Sequence, residues 1–268
     1  MPDFLLIAEY CSMSRILITG SADGLGRMAA RLLVADGHEV VLHARNQHRA
    51  EEAMAAVPGA AAAVAGDLSV IAETEDVARQ VNALGDFDAV IHNAAVGYRE
   101  RLIRTPDGLP HVFAVNSLAP YILTCLIRKP RRLVYISSGL HMQGDPSLED
   151  MVWRDRVWNG FAAYSDSKLH DVILAFAVAS RWRGVLSNAM EPGWVATRMG
   201  GPGAPDSLEE GPRTQAWLAV SNDPAAMVTG EYFYHMQRRL PLADAREAEI
   251  QDRFLAECRR ISGVALPE

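Results

Sequence analysis

The sequence predicts an α/β fold in which about seven mostly parallel strands form one doubly wound sheet flanked by helices. Short apolar runs alternate along the chain with helix-forming stretches, a pattern typical of strands joined by right-handed helical crossovers. A glycine-rich turn joins the first apolar run to the first helical stretch. The 268 residues, 49% of them hydrophobic, are enough to build one substantial core. We therefore expect a single domain over residues 13–268, preceded by an extension of residues 1–12.

Charge and cysteine content exclude several classes of function. The net charge is −7 and the isoelectric point is near 5.6, which argues against nucleic-acid and acidic-membrane partners. Three distant cysteines without a C-x-x-C pair indicate neither disulfides nor zinc, so we expect no metal. No apolar run approaches the roughly 18 residues of a membrane span, and residues 1–12 do not resemble a secretory signal. These observations predict a cytoplasmic protein.

The first predicted strand and the turn after it indicate a phosphate site. The strand covers residues 15–19, and a helix is expected over 28–35. Between them lie Gly20, Ser21, Gly24, Leu25 and Gly26. Glycines let a backbone approach phosphates, and a helix N-terminus offers free N–H groups, so we expect this turn to bind a pyrophosphate. The spacing is G-x-x-x-G-x-G rather than the generic G-x-G-x-x-G, and a turn that binds no ligand is the alternative.

Arg45 favours NADP(H) over NAD(H) as the cofactor. It follows the second predicted strand, residues 39–43, where an acidic residue would bind the adenosine ribose hydroxyls and an arginine accommodates a 2′-phosphate. There is no acid at this point. Arg49 could share the role, while Asp23 adds some counter-charge, and a solvated loop arginine is the alternative interpretation.

Asp67 follows the third predicted strand, at a position where ligands of open α/β sheets bind. That strand covers residues 61–65, after a helix over 47–56. Ser69 is expected to cap the next helix, which runs to about Leu84. A turn aspartate without a ligand contact is the alternative interpretation of Asp67.

The fourth predicted strand, residues 88–92, ends in a stretch of small side chains from Asn93 to Gly97 that would let a cofactor approach the backbone. A helix is then expected over 111–127, and it carries Asn116 among apolar neighbours. A buried asparagine needs hydrogen-bond partners. Asn116 is therefore either a structural hub of hydrogen bonds or part of a polar relay.

Ser138 follows the fifth predicted strand, residues 132–137, at the same edge of the sheet. Its hydroxyl could donate to a substrate carbonyl, or it could merely cap a turn. The sixth strand, 185–190, leads into a loop of residues 194–215. Within it, the Gly/Pro-rich piece 200–212 is interpreted as either a mobile lid over a substrate or a floppy surface loop. A helix, a strand and a last helix are expected over 208–221, 231–234 and 245–261.

Tyr164 and Lys168 lie four residues apart in a stretch with helical apolar spacing, so both side chains fall on one helix face. A free tyrosine ionises near pH 10, and a fixed cation nearby lowers its pKa by favouring the phenolate. The pair is a candidate general acid/base. Tyr-x-x-x-Lys also arises by chance, and an ordinary helix face is the alternative.

Taken together, these features resemble the short-chain dehydrogenase/reductase family, in its compact single-domain group, from about Arg15 to Tyr234. The resemblance rests on motifs in the right order at successive strand ends: Thr19-Gly20-x-x-x-Gly24-x-Gly26, Asp67-Leu68, Asn93-Ala94-Ala95, Asn116, Ser137-Ser138, Tyr164-x-x-x-Lys168 and Pro192-Gly193 followed by Thr197. It implies a Rossmann fold and hydride transfer between a nicotinamide and a carbonyl or secondary alcohol, as in a carbonyl reductase. It also implies a homodimer or homotetramer.

The resemblance further implies roles for single residues. Tyr164 would be the acid/base, Ser138 would polarise the substrate carbonyl, Lys168 would hold the nicotinamide ribose and lower the tyrosine pKa, and Asn116 would anchor a water relay. The remaining expected cofactor contacts are the glycine turn for the pyrophosphate, Asp67 and Leu68 for the adenine, Asn93 and Ala94 for the riboses, and Pro192, Gly193, Val195 and Thr197 for the nicotinamide.

The sequence departs from the family pattern at three places. His92 and Ala95 replace residues of the usual Asn-Asn-Ala-Gly, Glu191 before Pro192 is unusual, and the stretch between Asn116 and Ser138 is short, so the helix before the fifth strand should lack its last turns. The alternative to an enzyme is a redox sensor or scaffold that binds the nucleotide without turnover. An epimerase or dehydratase would need a larger C-terminal substrate domain.

Overall fold

One eight-stranded sheet organises the protein in the computed structural model, which describes residues 13–268. The predicted extension over residues 1–12 lies outside the described residues. The spatial order of the strands is β3-β2-β1-β4-β5-β6-β7-β8, and all neighbours are parallel except β7 and β8. The strands are β1 (Arg15–Ile18), β2 (Glu39–Ala44), β3 (Ala62–Ala65), β4 (Ala89–His92), β5 (Arg132–Ile136), β6 (Leu186–Glu191), β7 (Tyr232–Tyr234) and β8 (Gln237–Arg239).

Helices cover both faces of the sheet, and this explains why the central strands are apolar along their whole length. On one face, α1, α2 and α7 contribute to one apolar cluster; on the other, α3, α5, α6 and α8 contribute to a second. Ile16, Leu17 and Ile18 are fully buried because both of their faces are covered. The helices are α1 (Gly24–Ala35), α2 (Gln47–Ala56), α3 (Ile71–Ala83), α4 (His111–Phe113), α5 (Ala119–Leu126), α6 (Gly160–Arg181), α7 (Arg213–Val220) and α8 (Ala248–Ser262).

The strand order reverses between β1 and β4, and this position fixes where a ligand can bind. From β1 the chain first winds outward to β2 and β3, and it then returns to β4 on the other side of β1. The loops that leave β1 and β4 therefore diverge onto opposite faces and leave a crevice at the carboxyl ends of the strands. The predicted fold class is confirmed, and the polar residues predicted at strand ends all lie along this edge.

The expected strand count of about seven is wrong by one, because β8 adds an antiparallel edge strand. Its residues, Gln237, Arg238 and Arg239, are exposed and carry no apolar pattern. His235 and Met236 join it to β7 and both have positive φ, at 47° and 60°. Hairpin turns of this kind usually use Asn-Gly, so the sequence lacks the signal that would have predicted this one.

Helix α1 begins at Gly24 rather than at residue 28, and two other predicted helix starts are wrong. Helix α3 begins at Ile71 with Val70 as its N-cap, and Ser69 instead donates its N–H to Asp67 Oδ1 at 2.9 Å in the preceding turn. The helix expected from residue 208 begins only at Arg213, after Pro212. In both cases polar turn residues stand before the helix, and local propensity cannot tell a turn from a first helical turn.

The helix predicted over 111–127 is interrupted by one wide turn. Residues 114–118 form a π-helix between α4 and α5, in which Ala119 N–H donates to Ala114 O five residues back. Helix α5 ends at Leu126, so it is as short as the sequence predicts. The wide turn is significant because π-turns inside helices occur frequently at functional sites.

Three of the buried histidines are neutral in the folded protein. Burial lowers the pKa of His43 to about 4 and the pKa values of His92 and His170 to about 3 each. His92 Nε2 lies 3.2 Å from Thr124 Oγ1, and His170 Nδ1 lies 2.9 Å from Ser117 Oγ. Since an unfolded histidine titrates near 6.5, these residues bind protons more readily in the unfolded chain than in the native protein.

We expect the free energy of unfolding to fall as the pH decreases from 6.5 toward 4. A base with a lowered native pKa contributes stability above its unfolded pKa and loses it as the pH falls, by about 2 kcal/mol per buried histidine at pH 5. Urea unfolding at pH 7.5 and 5.0 measures this loss, and His170→Gln should reduce it by about that amount. His48→Gln, at an exposed site, is the control. An unchanged loss in His170→Gln would contradict this explanation.

Candidate active site

The glycine turn between β1 and α1 has the shape of a phosphate cradle. Gly20 and Gly24 have φ values of 63° and 54°, which few other residues adopt. A Cβ on Gly20 would lie 2.7 Å from Ala94 Cα, whereas a Cβ on Gly24 would meet nothing within 4 Å. The turn is thus pressed against the end of β4 on one side and open on the other. The first N–H groups of α1 lie beside the open side, so the turn fits a pyrophosphate.

Ser21 braces this turn from inside the fold. Its hydroxyl donates to Ile18 O at 2.9 Å and accepts from His43 N–H at 2.9 Å. His43 itself accepts from Gly20 N–H at 3.0 Å through Nδ1, and its Nε2 lies 3.0 Å from Gly66 O. The side chain of Ser21 is fully buried, so it supports the turn and is not free to bind a phosphate.

Asn93 joins the ends of β1 and β4. Its Nδ2 donates to Thr19 O at 2.9 Å and to Gly20 O at 3.2 Å, and its backbone N–H donates to Thr19 Oγ1 at 2.9 Å. A Cβ on Gly26 would lie only 2.4 Å from Asn93 Nδ2. The third glycine is therefore required for close packing of α1 against Asn93.

The end of the crevice next to β2 and β3 is more exposed and more polar. Arg45 is exposed directly after β2, and Arg49 on α2 pairs with Asp23 at 3.2 Å. Asp67 accepts from Ser69 N–H, so its carboxylate stabilises a turn, and Leu68 is buried in the core. Of the two arginines, Arg49 is thus the one whose positive charge is paired with Asp23.

Asn116 lies in the π-turn and is fully buried. Its Oδ1 accepts from Val96 N–H at 2.8 Å, and its Nδ2 donates to Val96 O at 3.0 Å and to Ser167 Oγ at 3.0 Å. The side chain thus ties the loop after β4 to helix α6. Its amide makes three hydrogen bonds within the protein.

Ser138 and Glu191 meet at the ends of β5 and β6. Ser138 caps a short 3₁₀-helix over Gly139–Gln143 and accepts from Leu140 N–H at 3.3 Å. The Glu191 carboxylate packs against Gly139, since a Cβ on Gly139 would lie 2.7 Å from Glu191 Oε2. This contact accounts for the unusual glutamate, because it holds the backbone directly after Ser138 in place.

Tyr164 lies in the first part of α6, which begins after Asn159 as N-cap, and only 7% of its surface is exposed. Its hydroxyl lies near Ser138 and 3.8 Å from Met199 Sδ. Burial raises the pKa of Tyr164, while the Lys168 charge and the nearby Ser138 side chain oppose the increase. Lys168 therefore acts in the expected direction, but the net pKa of the tyrosine is above its usual value.

Lys168 is buried beside Tyr164, with Nζ 5.7 Å from the centre of the tyrosine ring. The ammonium donates to Ile136 O at 2.7 Å and to Asp171 Oδ2 at 2.8 Å. Burial lowers the pKa of Lys168, but Asp171 and Tyr164 together raise it above the usual value. Burial raises the pKa of Asp171 to about 6 against the influence of Lys168.

The loop after β6 folds back over the same edge of the sheet. Pro192 precedes Gly193, which has a φ of 82°, and Val195 forms a parallel bridge with Asp206. Thr197 Oγ1 accepts from Gly200 N–H at 3.2 Å. A Cβ on Gly211 would lie 2.8 Å from Leu25 Cδ2, so the end of the Gly/Pro-rich piece 200–212 packs against the glycine turn.

Sequence reasoning missed four residues of this site. His43 and Asp171 are buried polar partners of residues that were predicted, namely Gly20 and Lys168. The other two, Tyr98 and Met199, contact the Tyr164 side chain. The ring centres of Tyr98 and Tyr164 are 5.9 Å apart. Of the four, His43 alone had a usable signal in the sequence, since it ends the predicted strand over residues 39–43, two residues before Arg45.

Comparison with known proteins decides the family. The family profile described as short chain dehydrogenase matches residues 14–143. The chain is 44% identical over 259 residues to the short-chain dehydrogenase chyC of Penicillium rubens. The matched region covers 95% of this chain and 100% of that relative. The chain belongs to the short-chain dehydrogenase/reductase family. It is therefore an NAD(P)-dependent oxidoreductase that acts on small molecules.

Solved structures with low sequence identity share the fold of this dehydrogenase. A putative uncharacterized protein from Mycobacterium paratuberculosis has a TM-score of 0.80 at 24% identity, over 96% of each chain. A blue fluorescent protein from a metagenomic library, solved in complex with NADPH, has a TM-score of 0.65 at 20% identity, over 82% of this chain and 95% of that one. Within residues 13–268 no helix of the dehydrogenase is both long and apolar enough to cross a membrane.

We expect Gly26→Ala to destabilise the dehydrogenase by about 1–3 kcal/mol, because the new methyl group would overlap Asn93 Nδ2. The thermal stabilisation by added NADPH should decrease as well, since the turn must shift. Urea unfolding and thermal shift measure both effects. Gly203→Ala, where a Cβ meets nothing within 4 Å, should be neutral. A Gly26→Ala variant as stable as Gly203→Ala would show that this close packing is not required.

Proposed function

We propose that the protein is an NADP(H)-dependent carbonyl reductase or secondary-alcohol dehydrogenase with Tyr164 as its acid/base. The observation that carries this proposal is the meeting of three side chains at the carboxyl edge of the sheet. The Tyr164 hydroxyl lies near Ser138, which acts to lower the pKa of the tyrosine, and the Lys168 ammonium lies 5.7 Å from the centre of the tyrosine ring. A nucleotide-binding sensor without turnover has no need for such an arrangement.

The proposed cofactor site runs along the crevice from β3 to β6. The glycine turn fits the pyrophosphate, and Arg45 would pair with a 2′-phosphate, which favours NADP(H). A protein of the same fold was solved with NADPH, which supports this choice. The other residues proposed to contact the cofactor are Asp67, Leu68, Asn93, Ala94, Tyr164, Lys168, Pro192, Gly193, Val195 and Thr197. Ser21 is proposed to act through the turn that it braces.

The cofactor supplies the hydride when it is bound, and the protein supplies orientation and the proton. Ser138 would donate a hydrogen bond to the substrate oxygen, and Tyr164 would transfer its phenolic proton to that oxygen in the reduction. Because burial raises the pKa of Tyr164, the phenol is protonated at neutral pH and can serve as an acid. Lys168 would stabilise the phenolate that forms, and Asn116 would hold the loop after β4 against α6.

The surroundings of Tyr164 favour a substrate with an apolar group beside its carbonyl. Tyr98 packs edge-on against both Tyr164 and Phe161, and Met199 contacts the Tyr164 hydroxyl. Aromatic rings and a thioether offer apolar contacts to a ring-bearing or long-chain group. The cytoplasmic location and the homodimer or homotetramer stay predictions from the sequence.

We expect Tyr164→Phe to lower NADPH-dependent turnover by roughly 100-fold to 10,000-fold, the usual contribution of a positioned acid/base. Binding of NADPH should persist, since the glycine turn is untouched. A panel of aldehydes and ketones identifies a substrate, and steady-state rates with it measure the effect. Tyr121→Phe removes a buried hydroxyl that is bonded to Val264 O, far along the chain, and should keep the wild-type rate. Undiminished turnover by Tyr164→Phe would refute the proposed acid/base.

We expect Arg45→Ala to weaken NADPH binding by about 10-fold to 100-fold and to leave NADH binding unchanged, since only the 2′-phosphate loses a charge-assisted partner. Dissociation constants for both nucleotides, measured by titration, give the ratio that tests this. Arg131→Ala removes an exposed arginine at the opposite edge of the sheet and is the control. If Arg45→Ala keeps the wild-type ratio of the two constants, Arg45 does not select the cofactor.

A further inference from the structure

A buried ion pair lies behind the catalytic tyrosine. Lys168 and Asp171 lie three residues apart on α6, with Nζ 2.8 Å from Oδ2, and their side chains are 3% and 2% exposed. Both charged groups are therefore almost completely shielded from solvent. Burying a lone lysine favours its neutral form, and burying a lone aspartate does the same. Each charge therefore depends on the other.

The geometry of the ammonium group shows what Asp171 does for Lys168. An ammonium has three N–H donors. One donates to Ile136 O at the end of β5 and one to Asp171, and these two contacts fix Nζ between the strand end and the Tyr164 ring. One donor remains for a ligand, which is what a bound ribose hydroxyl needs.

Among the described residues, the salt bridge of Lys168 is with Asp171 alone. The pKa of Lys168 responds to Asp171 and Tyr164, and the pKa of Asp171 responds to Lys168. Other ionisable groups on the elements packed against α6 include Tyr135 on β5, Glu191 on β6, His141 in the 3₁₀-helix, His111 on α4, Asp244 and Arg246 before α8, and Cys258 on α8; of these, Tyr135 interacts electrostatically with Asp171. Asp171 is thus the counter-ion of Lys168.

We propose that Asp171 is a positioning residue of the active site, whose carboxylate keeps the buried Lys168 cationic and fixes its ammonium beside Tyr164. The role in catalysis rests on the proposed function, whereas the role in holding the lysine charge does not. The charge that is meant to stabilise the Tyr164 phenolate would then depend on a residue that contacts neither substrate nor cofactor. Removing the carboxylate should let Lys168 lose its proton at a lower pH.

The chain offers a direct readout, because its only two lysines are Lys129 and Lys168. NMR of protein labelled with ¹³C,¹⁵N-lysine therefore shows two Cε signals, and Lys129→Arg leaves the signal of Lys168. In the wild-type protein the Lys168 shift should stay that of an ammonium up to about pH 10, since the pKa is raised. A wild-type Lys168 that titrates below about pH 9 would overturn the proposal without any variant at the site.

Asp171→Asn preserves the size of the side chain and removes its charge. We expect the titration midpoint of Lys168 to fall by about one pH unit or more, because burial is then opposed by Tyr164 alone. Asp166→Asn is the matched control: Asp166 is also a buried aspartate of α6, but it pairs with Arg156 at 2.9 Å. Its variant should leave the Lys168 midpoint unchanged. An equal midpoint in wild type and Asp171→Asn would overturn the proposal.

Kinetics separate this proposal from the proposed function. With a substrate in hand, kcat of Asp171→Asn should decline at alkaline pH with the midpoint that NMR gives for Lys168, while Asp166→Asn follows the wild type. A lowered midpoint by NMR with no turnover in any protein would support the ion pair and reject the proposed enzyme. Turnover in Asp171→Asn with the wild-type pH profile would reject the positioning role and leave the enzyme intact.

Discussion

The contact between the ends of β1 and β4 is the constraint on which the rest of the site depends. Thr19 Oγ1 accepts from the N–H groups of Asn93 and Ala94, at 2.9 and 3.0 Å, and Gly20 lies directly against Ala94. No side chain larger than hydrogen fits at Gly20 or Gly26 without displacing a neighbour. Because the two strand ends are held so closely, the loops that leave them must diverge, and the crevice is the space between those loops.

Burial and neighbouring charges have opposite effects on the pKa values of the ionisable groups along this edge. Burial raises the pKa of Tyr164 and protects its proton, and the lysine beside it works in the other direction. Lys168 can do so only while it carries a charge, and the same burial disfavours that charge. The buried carboxyl group of Asp171 favours the lysine charge, and its own pKa is raised to about 6. Three ionisable groups in one dry region thus determine one another's protonation.

The sequence could predict the parts that depend on local pattern. Apolar runs between Gly, Pro and helix-forming stretches gave the strands β1 to β7, and parallel topology then placed the strand-end residues together. Contacts between residues far apart in the chain could not be predicted from the sequence. His43 contacts Gly20, and Glu191 contacts Gly139, only because the sheet brings their strand ends side by side. Asp171 was missed for another reason. On a helix, a carboxylate three residues from a lysine is ordinarily an exposed pair, and only tertiary burial makes it part of the site.

The π-turn makes the position of Asn116 sensitive to the loss of a residue in this part of the chain. Ala119 bonds to Ala114 across five residues, so this turn holds one residue more than an α-helical turn, and α4 and α5 are offset by about 100° around the helix axis. That offset lets Phe113 and Tyr121 both face the core while Asn116 reaches Val96 and Ser167. Loss of one residue here would give a more regular helix and a more favourable local backbone, yet it would rotate the asparagine away from both partners. The position of this side chain is therefore set by the number of residues before it as much as by its own identity.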